Sequence, residues 1–218
     1  MIKDQYGRVF DYVRIAVNEK CNLRCVYCMP EEGINFLPQK DLLTTDEINR
    51  LISILVKSGV KKIRFTGGEP LLHKDIVSLV DFSANAGVKS IHLTTNGLLL
   101  GKMAKPLYEA GLNGINISLD TLDHKKFEEI TRRKGLEKVI DGLNLALSLE
   151  FPSVKMNIVF MRDFNHREIG DFVELTREKP LTVRFIELMP FDAHQICLLY
   201  TSDAADDTPC VDLGGRRI

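Results

Sequence analysis

No uninterrupted apolar run in this 218-residue chain approaches the roughly 20 residues of a membrane-spanning helix, and the start, Met1-Ile2-Lys3-Asp4-Gln5, lacks the apolar centre of a secretory signal. An Arg-rich, acid-poor mitochondrial presequence is missing as well. Excess charge of either sign is absent: 29 Lys and Arg stand against 30 Asp and Glu, for a formal net charge of −1. That balance argues against a general nucleic-acid binder. Arg132-Arg133-Lys134 and Lys61-Lys62 are local basic groups that either meet phosphates or face solvent. A disulfide framework is also missing, since the five cysteines are odd in number and lack framework spacing. These absences point to a soluble protein of a reducing intracellular compartment, with neither membrane nor nucleic acid as partner. At 44% hydrophobic and 27% charged residues, the chain can bury one core of ordinary size as a single domain.

What is present is an alternation of short β-rich runs with longer amphipathic ones. Asp11–Val17, Lys62–Phe65, Ser90–Thr94, Gly114–Ser118, Val154–Phe160 and Thr182–Ile186 are rich in Val, Ile, Phe or Thr and short enough for buried parallel strands. Between them, Glu47–Ser58 opens on Thr44-Thr45-Asp46-Glu47 and stops at Gly59. Asp75–Ala86 stops at Gly87 and Lys102–Ala110 at Gly111, while Leu136–Leu149 and Glu168–Arg177 complete the helices. Repeated strand–helix units predict an α/β fold with a parallel sheet and right-handed crossovers. Six strands are too few to close an eight-stranded barrel, so the expectation is a partial (β/α)6 TIM-type barrel, open on one side, with its working loops at the C-terminal strand ends.

The unusual residues collect at that rim. Cys21, Cys25 and Cys28 form a C-x3-C-x2-C loop after the first strand. Three thiolates on one short loop make a metal site, and on spacing alone the loop suits zinc as well as an iron–sulfur cluster. A zinc site would recruit a fourth protein ligand, whereas a cluster held by three cysteines keeps one iron open. Tyr27, just before the last cysteine, tips the reading toward iron, because C-x3-C-x-aromatic-C resembles the radical S-adenosylmethionine (SAM) enzymes. Thr66-Gly67-Gly68-Glu69-Pro70 follows the second strand, where paired glycines let backbone approach a ligand and Glu69 offers an acceptor to a cationic group.

Together these runs resemble one family within that superfamily, the molybdenum cofactor biosynthesis protein A family of GTP 3′,8-cyclases, most closely its eukaryotic members. The resemblance spans Tyr12 to Pro190 and rests on Cys21-Asn22-Leu23-Arg24-Cys25, Tyr27-Cys28-Met29-Pro30, Arg64-Phe65-Thr66-Gly67-Gly68-Glu69-Pro70, Thr94-Thr95-Asn96-Gly97, Asn116-Ile117-Ser118-Leu119-Asp120 and Val183-Arg184-Phe185-Ile186-Glu187-Leu188-Met189-Pro190. It implies that Cys21, Cys25 and Cys28 hold a 4Fe–4S cluster and that Tyr27, Gly67, Gly68, Glu69, Ser118 and Met189 contact SAM. It implies that Arg14, Arg64, Thr95 and Lys155 contact GTP. An arginine in an apolar strand is costly unless an anion or carboxylate answers its charge, which suits a triphosphate. The implied reaction is a radical lyase step. A hydrogen leaves the ribose 3′ carbon, that carbon bonds to C8 of guanine, and the cyclised product is the precursor of cyclic pyranopterin monophosphate. Implied partners are GTP, an electron donor and the downstream cyclic pyranopterin monophosphate synthase, with room for a homodimer. The implied setting is the mitochondrial matrix for a eukaryotic source and the cytoplasm for a bacterial one.

The resemblance stops near Phe191-Asp192. The family's second 4Fe–4S cluster sits in a C-terminal region whose cysteine ligands have no counterpart here, and Cys197 and Cys210 lack their spacing. Residues 1–196 are therefore expected to be a truncated core, impaired in cyclisation. Residues 197–218, from Cys197-Leu198-Leu199-Tyr200-Thr201-Ser202 to Ile218, code back to DNA resembling a transposase adapter of sequencing libraries, and so read as a non-native tail. Two other readings stay open: a radical SAM enzyme acting on a peptide or another nucleotide, and a zinc-stabilised binding domain.

Overall fold

The computed structural model describes residues 1–188. A short antiparallel hairpin, β1 (Ile2–Lys3) and β2 (Val9–Phe10), precedes a six-stranded parallel sheet. The sheet strands are β3 (Tyr12–Ala16), β4 (Lys62–Thr66), β5 (Ser90–Thr95), β6 (Gly114–Ser118), β7 (Ser153–Phe160) and β8 (Thr182–Glu187). Each strand pairs with its predecessor, so the spatial order is the chain order. All six fall within a residue of the runs read from the sequence. The sheet does not close: β3 and β8 are its edges, in keeping with a partial (β/α)6 barrel.

The crossover helices are α1 (Thr45–Lys57), α2 (Ile76–Asn85), α3 (Leu100–Glu109), α4 (His124–Thr131), α5 (Leu136–Ser148) and α6 (Ile169–Glu178). α1 begins with the expected capping box: the Glu47 N–H donates to Thr44 Oγ1 at 3.3 Å, and Glu47 Oε2 accepts from the Thr44 N–H at 2.8 Å. Gly59 and Gly111 follow α1 and α3 at φ +95°, a conformation that glycine adopts without steric penalty. None of the described helices is long and apolar enough to cross a membrane.

Strand alternation sorts the sheet into two faces. Ile63, Phe65, Leu93, Ile115, Ile117, Met156 and Ile158 point to the helices and are fully buried, each at 0% exposure. They pack with Ile48 and Ile52 of α1, Leu79 of α2, Leu107 of α3, Val139 of α5 and Phe172 of α6 in one continuous core. The opposite face carries Arg14, Arg64, His92, Thr94, Asn116, Lys155, Asn157 and Arg184. The register Arg14↔Arg64↔His92↔Gly114 sets the first four strands of this polar face level with one another. Arg14 of β3 and Arg184 of β8 line a single cavity of about 420 Å³. Five strand spacings of about 4.8 Å would separate them on a flat sheet, so the sheet curls around its polar face.

Candidate active site

The cysteine loop leaves the C-terminal end of β3. Cys28 and Met29 N–H groups both donate to the Cys25 carbonyl at 2.9 Å, folding the last two cysteines into a tight turn. The sulfur of Cys21 accepts from the Leu23 N–H at 3.4 Å and from Asn96 Nδ2 at 3.8 Å, donors suited to a thiolate. The thiols are free. Burial, then Asp120 and the other two cysteines, pushes the Cys25 thiol up to about 12, so a metal must displace its proton. Three free thiols on one loop are a donor set that suits an iron–sulfur cluster, one thiolate on each of three irons.

The Gly-Gly-Glu turn after β4 is packed against the start of this loop. Gly68 N–H donates to the Asn18 carbonyl at 2.9 Å and Glu69 N–H to the Lys20 carbonyl at 2.7 Å. A Cβ on Gly68 would lie 2.4 Å from the carbonyl oxygens of Glu19 and Lys20, and one on Gly67 2.3 Å from that of Asn18. The close approach expected toward a ligand is thus also an approach of the chain to itself. Glu69 is 1% exposed. Its Oε1 accepts from the Leu71 N–H at 2.9 Å and Thr95 Oγ1 at 2.8 Å, and its Oε2 from the Asn96 N–H at 2.7 Å. The carboxylate expected to meet a cation instead binds the loop after β4 to the loop after β5. Burial raises its pKa against those three donors.

Thr95 follows from the same arrangement as a correction. Its hydroxyl serves Glu69 and accepts from the Gly97 N–H at 3.0 Å, and it lies on the helix side of β5. The β5 hydroxyl that lines the cavity is that of Thr94, one position earlier on the alternating strand.

The cavity is walled by Arg14, Arg64 and Arg184 with Thr66, Thr94 and Asn157, and none of its described lining residues is acidic. Asn116 lies fully buried at its base. With its amide oxygen turned inward it accepts from Arg64 Nη1 at 3.1 Å and Arg184 Nη2 at 2.9 Å, spanning two guanidinium groups. Nε of both arginines and Oδ1 of Asn157 are buried without a partner. Burial lowers the Arg64 pKa, Tyr12 opposes this, and the like charges of Arg14 and Arg184 add to it. Three cations around open space, with no carboxylate among the described lining residues, suit an anion.

Lys155 is half-buried on the same face, in register with Asn116. Lys62, one of the local basic residues noted in the sequence, reaches over the Tyr12 ring at 5.4 Å. Arg184 was not among the residues the resemblance assigned to the substrate, although the argument that supports Arg14 and Arg64, an arginine amid apolar strand residues, applies to it equally. Ser118 is exposed at the rim. Met189 lies outside the described residues, as do Cys197 and Cys210.

In register with Arg14 and Arg64, His92 is 6% exposed, with Nε2 at 2.9 Å from Ser90 Oγ. Burial, then Lys62, Arg64 and Lys155, depresses its pKa to about 4, so it is neutral at physiological pH. Gly114 makes room for its ring, which a Cβ there would meet at 2.5 Å.

At the other side of the cysteine loop, Tyr27 Oη donates to Asp120 Oδ2 at 2.7 Å, and Asp120 Oδ1 accepts from the Val159 N–H at 2.8 Å. Asp120 is 7% exposed, and burial raises its pKa to about 6 despite those two donors.

A three-thiol loop, a Gly-Gly-Glu turn packed on it and a cationic chamber within a parallel half-barrel are the parts of a radical SAM domain, and residues 15–176 match the model of the Radical SAM superfamily. This chain belongs to that superfamily. Among solved structures, Streptococcus suis SuiB bound to S-adenosylmethionine superposes with a TM-score of 0.65 at 21% identity, over 84% of this chain and 40% of that one. Native anSMEcpe with bound AdoMet and a Kp18Cys peptide gives 0.65 at 18% identity, over 82% and 51%. Both likenesses are of fold.

The chain is far more similar in sequence to three curated relatives. It is 53% identical over 195 residues to molybdenum cofactor biosynthesis protein 1 of Drosophila melanogaster, covering 89% of this chain and 34% of that protein. It is 50% identical to the mitochondrial GTP 3′,8-cyclase of Arabidopsis thaliana, covering 89% and 50%. It is 48% identical to the GTP 3′,8-cyclase of Listeria monocytogenes, covering 87% and 57%. The chain thus spans between about a third and three-fifths of the length of these relatives.

Proposed function

We propose that this chain is the radical SAM core of a GTP 3′,8-cyclase acting at the first step of molybdenum cofactor biosynthesis. The observation that carries the reading is the chamber: Arg14, Arg64 and Arg184 face one cavity with no acidic neighbour among its described lining residues. A polyphosphate answers all three charges through fixed, bidentate-capable forks held on rigid strands. A peptide substrate has no such need. The named functions of relatives half identical to this chain support the same substrate.

Cys21, Cys25 and Cys28 would hold a 4Fe–4S cluster, with Tyr27, Gly67, Gly68 and Ser118 around the SAM that joins it. When bound, cluster and SAM supply the one-electron chemistry that removes the ribose 3′ hydrogen and lets that carbon bond to C8 of guanine. The chain's own residues bind and orient. Arg14, Arg64, Arg184 and Lys155 fix the triphosphate, Thr94 and Asn157 offer neutral hydrogen-bonding groups beside it, and the curled sheet shields the reacting face from water. Glu69 acts on SAM indirectly, by holding the two loops that shape its pocket. An electron donor and a downstream cyclic pyranopterin monophosphate synthase complete the partners, with a homodimer compatible. The setting is a reducing compartment, the mitochondrial matrix in a eukaryote or the cytoplasm in a bacterium.

The test is anaerobic reconstitution with iron and sulfide, then reduction in the presence of SAM and GTP deuterated at the ribose 3′ carbon. Deuterium in the 5′-deoxyadenosine formed is the expected result. A colourless protein carrying only zinc, or 5′-deoxyadenosine that gains no deuterium from GTP, would overturn the proposal.

A further inference from the structure

α4 ends on Arg132 in the left-handed region, at φ 54° and ψ 26°. Helices commonly stop with glycine or asparagine there, because a larger side chain adopts that backbone at a cost. What holds Arg132 in place is its side chain. Nη1 donates to the carbonyl of Arg24 at 2.9 Å and to that of Met29 at 3.0 Å. One carbonyl immediately precedes Cys25 and the other immediately follows Cys28, so a single guanidinium nitrogen spans the turn bearing two of the three thiols.

The same helix end supplies backbone acceptors to the same loop: Arg24 N–H donates to the Thr131 carbonyl at 3.0 Å and Val26 N–H to the Ile130 carbonyl at 2.9 Å. Thr131 is buried and fixes the corner, its hydroxyl donating to the Phe127 carbonyl at 2.6 Å. Of the basic trio in the sequence, Arg133 and Lys134 face solvent, and Arg132 alone turns inward.

We propose that Arg132 is a positioning residue for the cluster, a clamp that sets the Cys25–Cys28 turn before iron arrives. The inference rests on the cysteine loop being the cluster's anchor. Irregular backbone is entropically costly to order, and a loop ordered in advance leaves less of that cost to metal binding. The clamp needs no titration and contacts no sulfur.

The test uses the full chain. Arg132→Asn tolerates the left-handed backbone but cannot reach the carbonyls; Arg132→Lys keeps the charge with a narrower reach. Arg133→Asn is the control. Amide hydrogen exchange is measured across residues 24–29 in the metal-free protein, and the rate at which a chelator removes iron is measured after reconstitution. Arg132→Asn should speed exchange at Cys28 and Met29, and iron loss, by about tenfold or more, since hydrogen bonds from a charged donor are lost. Arg132→Lys should fall between, and Arg133→Asn should match the parent. Should Arg132→Asn fail to fold, Arg132→Gln carries the same expectations. Parent-like exchange together with parent-like iron loss in the folded variant would overturn the clamp. A parent chain that takes up no iron would strike the cluster reading itself.

Discussion

Tyr27 and Asp120, 93 positions apart in sequence, meet through a 2.7 Å hydrogen bond that ties the cysteine loop to the end of β6. The tyrosine belongs to the C-x3-C-x-aromatic-C pattern, and the aspartate is a buried carboxylate that also accepts from the Val159 N–H. Tyr27→Phe leaves Asp120 Oδ2 without that donor, and Asp120→Ala takes that acceptor from the tyrosine hydroxyl. Each should cost about 1–3 kcal/mol in urea unfolding of the metal-free chain. The double variant should cost less than the sum by at least about 0.5 kcal/mol. Strict additivity would mean that the bond contributes nothing to stability.

Gly68 has no side chain to offer iron, yet it should be indispensable to iron binding. Gly68→Ala drives a methyl group against the Glu19 and Lys20 carbonyls and must displace the start of the cysteine loop. Iron per chain after reconstitution should fall severalfold while the far-UV circular dichroism stays near that of the parent. Undiminished iron uptake would show that the loop can shift without harm.

His92 makes stability depend on acid. Its folded pKa of about 4 lies below the ordinary 6.5, so between those values the unfolded chain binds a proton that the folded chain refuses. The contribution is fully present above pH 6.5 and is lost as pH falls toward 4, up to about 3 kcal/mol in all. His92→Gln should flatten that acid limb in unfolding curves taken from pH 7 to pH 4. Parallel pH profiles for parent and variant would place the acid sensitivity elsewhere.

Arg64 and Arg184 share Asn116, and each should bind the nucleotide. Arg184→Ala should weaken GTP or inorganic triphosphate binding about tenfold, the scale of a lost charge-assisted contact, without changing iron content. Combining it with Arg64→Ala should lose less than the product of the two effects, because Asn116 couples them. Calorimetry on the reconstituted protein separates the two quantities, and a loss of iron in Arg184→Ala would recast that residue as scaffold.

The strands were legible because each is a short β-branched run bounded by turn chemistry, and the rim followed once their C-terminal ends were known. α4 was not, since only Phe127 and Ile130 mark its apolar side and charged residues fill the rest. The hairpin of β1 and β2 has two-residue strands, too short to show a period. Within the site, residue types at the rim could be named but not their facing. Thr94 and Thr95 differ by one step on a strand, and that step decides which lines the chamber. Glu69 looks like a ligand in sequence because nothing local reveals the three donors that Leu71, Thr95 and Asn96 bring to it. Arg132 read as one of three surface charges, because its partners lie more than a hundred positions away.

The open sheet gives the chamber a second meaning. Arg14 belongs to the first strand of the sheet and Arg184 to the last, and no backbone hydrogen bond joins those two strands. An anion gripped by both arginines spans the gap as a keystone spans an arch, supplying a link that the described strands do not make themselves. Ligand binding and closure of the half-barrel then draw on the same free energy, so occupancy should protect β3 and β8, each paired on one side only, before any other part of the sheet.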